Sequence, residues 1–200
     1  KGEVIVCDSV STNLFKLAAA ALPLAKSQTL IVEEDEFPTD QYIAEGLARM
    51  SGADLIRAPQ GEGLVQLEKA GGVLMKSVVS YRTASVTNIA EAEKMAAASD
   101  GLIVWDISHA TGVLALDMAP AKLAAGCTYK YLNGGPGAPA FIYARQDIAN
   151  SLNTPLPGWM GHKSPFAFSS QYTPADGVDR FANGTPPILS LTALDGALNA

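Results

Sequence analysis

Short runs of apolar residues alternate along the chain with longer stretches in which apolar positions recur every three or four residues. The runs EVIVCD (3–8), TLIVEE (29–34), DLIRAP (54–59), VLMKSVV (73–79), GLIVWD (101–106), AGCTYKY (125–131) and AFIYA (140–144) have the length and β-branched content of strands. Between them the spacing predicts helices over 12–26, 40–51, 65–71 and 87–99, with a weaker pattern over 118–124. Such alternation predicts an α/β layer around a largely parallel sheet.

Helix ends can be placed by the backbone groups that a helix leaves unpaired. Ser11 or Thr12 can accept from the first free N–H groups of the first helix, Thr39 can do so for the helix after it, and Thr87 for the helix over 87–99. Gly52 and Gly101 suit the left-handed residue just past a helix end.

From residue 151 the pattern breaks. Residues 151–190 are rich in Pro, Gly, Ser and aromatics, which predicts an irregular segment, and its Trp and Phe content predicts that the segment is packed and functional rather than disordered. The closing LTALDGALNA (191–200) returns to a helical pattern without a stop signal, and the chain opens on Lys1 rather than Met, so a piece of something longer is expected. The expected organisation is a domain core over 1–150, with 151–200 an active-site loop region and the start of a helix in the same domain.

Composition narrows the function classes. With 48% hydrophobic and 17% charged residues the chain is globular. Fourteen Lys and Arg against twenty Asp and Glu, a net charge of -6 with no basic cluster, argue against nucleic acid as a partner, while leaving room for a small anion in a local pocket. The two cysteines, Cys7 and Cys127, lie far apart among apolar neighbours, so they are expected to be buried thiols in a reducing, cytoplasmic setting. The alanine-rich 13–26 stretch, broken by Lys16 and Pro23, is too short and interrupted to cross a membrane.

Candidate chemistry begins with LIVWDISHATG (102–112). Asp106 ends an apolar strand at the sheet edge where ligands of open α/β folds bind, and a carboxylate there needs a cation or strong donors. His109 can face the same crevice, or be satisfied by backbone; no third residue at metal-ligand spacing joins the pair, so no metal is expected. In CTYKYLNGGPGAPA (127–140), Lys130 sits between Tyr129 and Tyr131 near a strand end, where desolvation would lower its pKa and favour the neutral amine that attacks a carbonyl. A lone lysine ordinarily snorkels to water. Together, however, Lys130 and Asp106 meet the two needs of pyridoxal phosphate: an amine for its aldehyde and a carboxylate for its ring nitrogen. Gly134, Gly135 and Gly137 would let the backbone turn sharply beyond the lysine.

FPTD (37–40), WDISHATG (105–112), YKYLNGGPGAPAF (129–141), GWMGH (158–162) and GTPPIL (184–189) occur in an order that resembles the kynureninase family over essentially the whole chain. The resemblance implies the large domain of a fold-type-I pyridoxal phosphate enzyme, three-layered α/β/α with a mainly parallel sheet, lacking here the C-terminal small domain and its substrate-carboxylate arginine. It implies hydrolysis of L-kynurenine, or its 3-hydroxy form, to an anthranilate and alanine in tryptophan breakdown, by a homodimer whose subunits share active sites. Lys130 would hold the cofactor and shuttle protons, with Asp106 on the ring nitrogen and Tyr129 also catalytic. Phe37 would stack on the ring, with Pro38, Thr39 and Asp40 in the same segment and His109 alongside. Val10 and Ser11 would receive the phosphate where the first helix opens, Ser77 and Tyr129 would complete the contacts, and Trp159 and Thr185 would close the site from the neighbouring subunit. His162 is a weaker candidate of that kind. Alternative readings are another fold-type-I lyase such as a cysteine desulfurase, against which Cys127 in an apolar strand pattern argues, and a non-catalytic α/β module.

Overall fold

The computed structural model describes residues 2–199. Its elements run β1 (Val4–Val6), α1 (Val10–Ala21), β2 (Thr29–Glu33), α2 (Pro38–Ser51), β3 (Asp54–Ala58), α3 (Gly63–Ala70), β4 (Val73–Ser77), α4 (Ile89–Ala98), β5 (Leu102–Asp106), β6 (Leu123–Gly126), β7 (Phe141–Ala144), α5 (Gln146–Ala149) and α6 (Ile188–Leu198). Between α5 and α6 the chain is irregular, with 3-10 turns at Trp159–Gly161, Pro165–Ala167 and Gly177–Phe181.

The strands form one seven-stranded sheet in the order β1-β7-β6-β5-β4-β2-β3. Strands β2 to β6 pair in parallel, whereas β7 is antiparallel to both β6 and β1. Two reversals restore direction, so β1 runs with the parallel set and its carboxyl end lies on the same sheet edge as theirs.

Strand residues alternate between two cores, as the two-residue period of a pleated strand requires. Val32, Met75, Leu102 and Val104 pack with Leu14, Leu17, Ala44 and Leu47 of α1 and α2 on one face, while Ile31, Leu74, Ile103 and Trp105 pack with Leu67, Ile89, Ala92 and Ala96 of α3 and α4 on the other. Burial on both faces is why β5 reads as an unbroken apolar run, and it makes the architecture α/β/α with a mainly parallel sheet. Truncating a fully buried member such as Leu17 to alanine would cost about 2–5 kcal/mol.

Several boundaries depart from the sequence expectations. The first helix opens at Val10 with Ser9 as its cap, its side chain accepting from the Thr12 amide at 3.3 Å, so neither Ser11 nor Thr12 serves. The turn comes early because Asp8 takes a left-handed φ of 48°. Thr39 is not a cap either: Pro38 opens α2, a position where its missing N–H costs nothing, and Phe37 precedes it. Asn88, rather than Thr87, caps α4 by accepting from the Glu91 amide, and the Thr87 amide donates to the Val78 carbonyl. Gly52 ends α2 in the left-handed conformation as expected, but at the end of α4 Asp100 takes that role, with φ 53°, and not Gly101. Residues 118–124 form no helix, and the strand expected at 125–131 is Leu123–Gly126; its small residues LAAG become a strand through ladders to β5 and β7. Lys130 therefore lies in a turn beyond the strand.

Val178 and Phe181 anchor the irregular segment by burying themselves in the core of the α1 face. No helix among the described residues is long and apolar enough to cross a membrane.

Candidate active site

The carboxyl edge of the parallel strands gathers most of the chemistry. β5 ends in Asp106, whose register partner on β4 is Ser77. β2 runs on to Phe37 and the first turn of α2, which carries Asp40. β6 leads through Cys127 and Thr128 to Tyr129 and Lys130.

Asp106 and Asp40 are buried, 5% and 4% exposed, with their carboxyl groups hydrogen-bonded to one another. Asp106 also accepts from the Ser108 amide at 2.7 Å. Burial, then the charges of Asp106 and Glu36, push the Asp40 carboxyl up to about 8 against the opposing pull of Lys130. Burial and mutual repulsion thus favour one proton retained between the two carboxyl groups at neutral pH. Two carboxyl groups in one dry place require either a shared proton or a cation brought to them.

The Lys130 ammonium lies 2.9 Å from His109 Nε2, 5.6 Å from the centre of the Tyr129 ring and 6.0 Å from that of Phe37. Burial, and secondarily the Lys130 charge, hold the His109 imidazole below its ordinary pKa, with Asp106 opposing. The neutral ring can then accept from the ammonium. The turn carrying the lysine is clamped on both sides: the Gly134 amide donates to the Thr128 carbonyl at 3.0 Å, and the Thr128 hydroxyl donates to the Pro139 carbonyl at 2.5 Å. Gly135 and Gly137, at φ 72° and 86°, fold the chain back as their type suggested. Gly112 lets the loop after β5 press on Tyr131, where any Cβ would meet its carbonyl oxygen at 2.8 Å.

Ser77 is held by a residue that sequence reasoning did not find. Its amide and hydroxyl donate to Glu36 at 2.9 and 2.5 Å, and burial raises the Glu36 carboxyl above its usual range. Four acids in a row precede Phe37, and nothing in their order says which one turns inward; Glu33 does so too, binding Lys76 and the Gly63 amide, both at 2.9 Å. Pro38 and Thr39 lie in the first turn of α2, half-buried. Val10 and the exposed Ser11 lie in the first turn of α1, at the same sheet edge.

The remaining predicted residues are placed elsewhere. Trp159 packs against Phe166 and Phe168, with ring centres at 5.7 and 6.1 Å, and stays 39% exposed. Thr185 is exposed at the rim of a cavity of about 260 Å³ shared with Cys7, Asp8 and Met160. His162 serves its own loop, accepting from the Ser164 amide at 2.9 Å. Among the described residues no hydrogen bond or aromatic contact joins Trp159, Thr185 or His162 to the Lys130 cluster, and none of their His, Cys, Asp and Glu groups could hold a metal.

A mainly parallel sheet in this strand order, layered between helices, is a fold that this chain shares with solved fold-type-I enzymes. Among solved structures, the apo cysteine desulfurase of Thermococcus onnurineus NA1 matches with a TM-score of 0.79 at 22% identity, over 99% of this chain and 51% of that one. The cystine C-S lyase C-DES, in complex with its product cysteine persulfide, matches with 0.81 at 19% identity, over 99% and 55%. At such identities the likeness is one of fold. In sequence the chain is similar to kynureninases: it is 44% identical to that of Deinococcus radiodurans over 98% of this chain and 49% of the relative, and 38% identical to that of Pseudomonas fluorescens over 99% and 50%. The chain spans about half the length of the curated relatives it matches. No protein-family model matches it.

Proposed function

We propose that this chain is the pyridoxal-phosphate-holding part of a kynureninase, which hydrolyses L-kynurenine or its 3-hydroxy form to anthranilate or 3-hydroxyanthranilate and L-alanine in tryptophan catabolism. The observation that carries the cofactor is the buried Asp40–Asp106 pair, left with a single negative charge by one retained proton and set within electrostatic reach of the Lys130 amine. A ring nitrogen that bears a proton is the cation such a pair lacks. The sequence likeness to kynureninases supports this choice among fold-type-I chemistries.

The residues fit the group in a consistent way. Bound there, the cofactor supplies an aldehyde for the amine and a ring that takes up electrons from the bond being broken. Lys130 would hold that aldehyde and would serve as base and acid at the substrate's α-carbon. Asp106, backed by Asp40, would pair with the positive ring nitrogen. Phe37 offers an aromatic face beside the amine, and His109 stays a neutral acceptor. Burial keeps the Tyr129 phenol above its ordinary pKa, so it remains a donor. The first turn of α1, with Val10 and Ser11, offers N–H groups and the helix dipole to the phosphate, with Ser77 nearby on the edge. Trp159 and Thr185 would close the site of the neighbouring subunit in a homodimer, which the exposed aromatic faces around Trp159 support. Two buried free thiols favour a reducing, cytoplasmic location.

A cysteine desulfurase reading is disfavoured by Cys127. Its thiol is 1% exposed and lies 3.7 Å from the Ser108 carbonyl, which leaves it no reach as a mobile nucleophile.

Incubating the full-length protein with kynurenine and with 3-hydroxykynurenine, and following anthranilate formation, tests the proposal. Hydrolysis of at least one, lost in Lys130→Ala, is expected. A protein that carries the coloured cofactor but leaves both substrates intact points to another lyase; one that takes up no cofactor points to a binding module.

A further inference from the structure

A buried cation stands apart from the Lys130 cluster. Lys16, on the inner face of α1, has no solvent exposure, and its ammonium donates to Asp8 Oδ2 at 2.6 Å, the Phe181 carbonyl at 2.6 Å and Asn183 Oδ1 at 2.8 Å. A lysine taken wholly out of water is costly unless every donor is used, and here all three are. Packing does not ask for it: α1 also buries Leu14, Leu17, Ala18, Ala20 and Ala21, and an apolar side chain at position 16 would be buried there without desolvating a charge.

Its acceptors belong to two segments far apart in sequence. Asp8, left-handed at φ 48°, sets the turn into Ser9 and the first turn of α1, and Asn13 steadies that turn by donating to the Cys7 carbonyl at 2.8 Å. Phe181 and Asn183 stand just before Gly184 and Thr185. The 260 Å³ cavity lies between the two segments, lined by Asp8 on one side and by Asn183 and Thr185 on the other.

We propose that Lys16 is a positioning residue for the phosphate end of the site: by gripping Asp8 and Asn183 together it fixes the first turn of α1 against the 181–185 segment. The inference rests on the proposed cofactor role, and it predicts an effect confined to ligands that carry the phosphate. Binding of pyridoxal phosphate and of pyridoxal, which has the aldehyde but no phosphate, is measured by absorbance on the full-length protein and its variants. Lys16→Met should raise the Kd for pyridoxal phosphate about tenfold or more, as a small misplacement of a binding turn does, while changing that for pyridoxal less than about twofold. Asn183→Ala, which leaves the ion pair with Asp8 intact, should lose part of the same discrimination, and the double variant should be no worse than Lys16→Met alone. Should Lys16→Met fail to fold, Asn183→Ala carries the test. Variants that bind both aldehydes as the wild type does, or that lose both equally, overturn the inference alone; a wild type that takes up neither overturns the proposed function and this inference with it.

Discussion

The carboxyl edge of the sheet and the segment from 151 to 187 meet their needs differently. At the edge, polar groups are buried or half-buried and already partnered within the chain: Asp40 with Asp106, Ser77 with Glu36, Lys130 with His109. The later segment secures its backbone at a few points, among them Arg180, which donates to the Asn150 and Leu152 carbonyls at 2.6 and 2.8 Å. It leaves the rings of Phe166 and Phe168 open, 76% and 75% exposed. A charge in a dry place must find its partner as the chain folds, whereas an apolar face can stay in water until another surface covers it. On the proposed function, reactivity belongs to the first region and closure to the second.

That contrast breaks most visibly if the edge is not the reactive region. Lys130→Ala should abolish the visible absorbance of the holoprotein and lower kynurenine turnover by about a thousandfold or more, with the circular dichroism of the fold unchanged. Asp106→Asn removes the charge opposite the ring nitrogen while keeping the shape, and a loss of about a hundredfold in kcat is expected from steady-state kinetics.

The retained proton on Asp40 sharpens the contrast in the cofactor-free protein. Its carboxyl lies near 3.8 when free and at about 8 when folded. The folded state then binds more protons than the unfolded one between those values, so stability from this group is present at low pH and declines as pH rises through the window. The slope is at most about 1.4 kcal/mol per pH unit, and denaturant titrations across pH should show it flattened in Asp40→Asn. Smaller still is an effect in the second region. A Cβ at Gly158 would run into the Asn183 carbonyl, whereas one at Gly184 meets nothing. Gly158→Ala should cost about 1–3 kcal/mol in thermal unfolding, and Gly184→Ala under about 1.

Most of the fold was legible because buried parallel strands are written as apolar runs, and β5 is the clearest example. β6 was not, since Leu-Ala-Ala-Gly has no strand character of its own and gains it from neighbours on both sides. Helix starts were misplaced where backbone shape outranked side-chain type, as at Asp8 and Pro38. In the site, Lys130 and Asp106 stood out because each follows an apolar run. The proton shared by Asp40, the inward turn of Glu36 and the grip of Lys16 depend on where a side chain points, which spacing does not encode. The sequence did carry one signal for Lys16: a lysine set between Phe15 and Leu17 in an otherwise apolar stretch.

The claim that one amine at this sheet edge carries the cofactor can be read directly by reducing the full-length holoprotein with borohydride and mapping its peptides by mass. A pyridoxyl group on the peptide containing Lys130 is the predicted result. The same group on Lys16, Lys76 or any other lysine, with Lys130 unmodified, would contradict it.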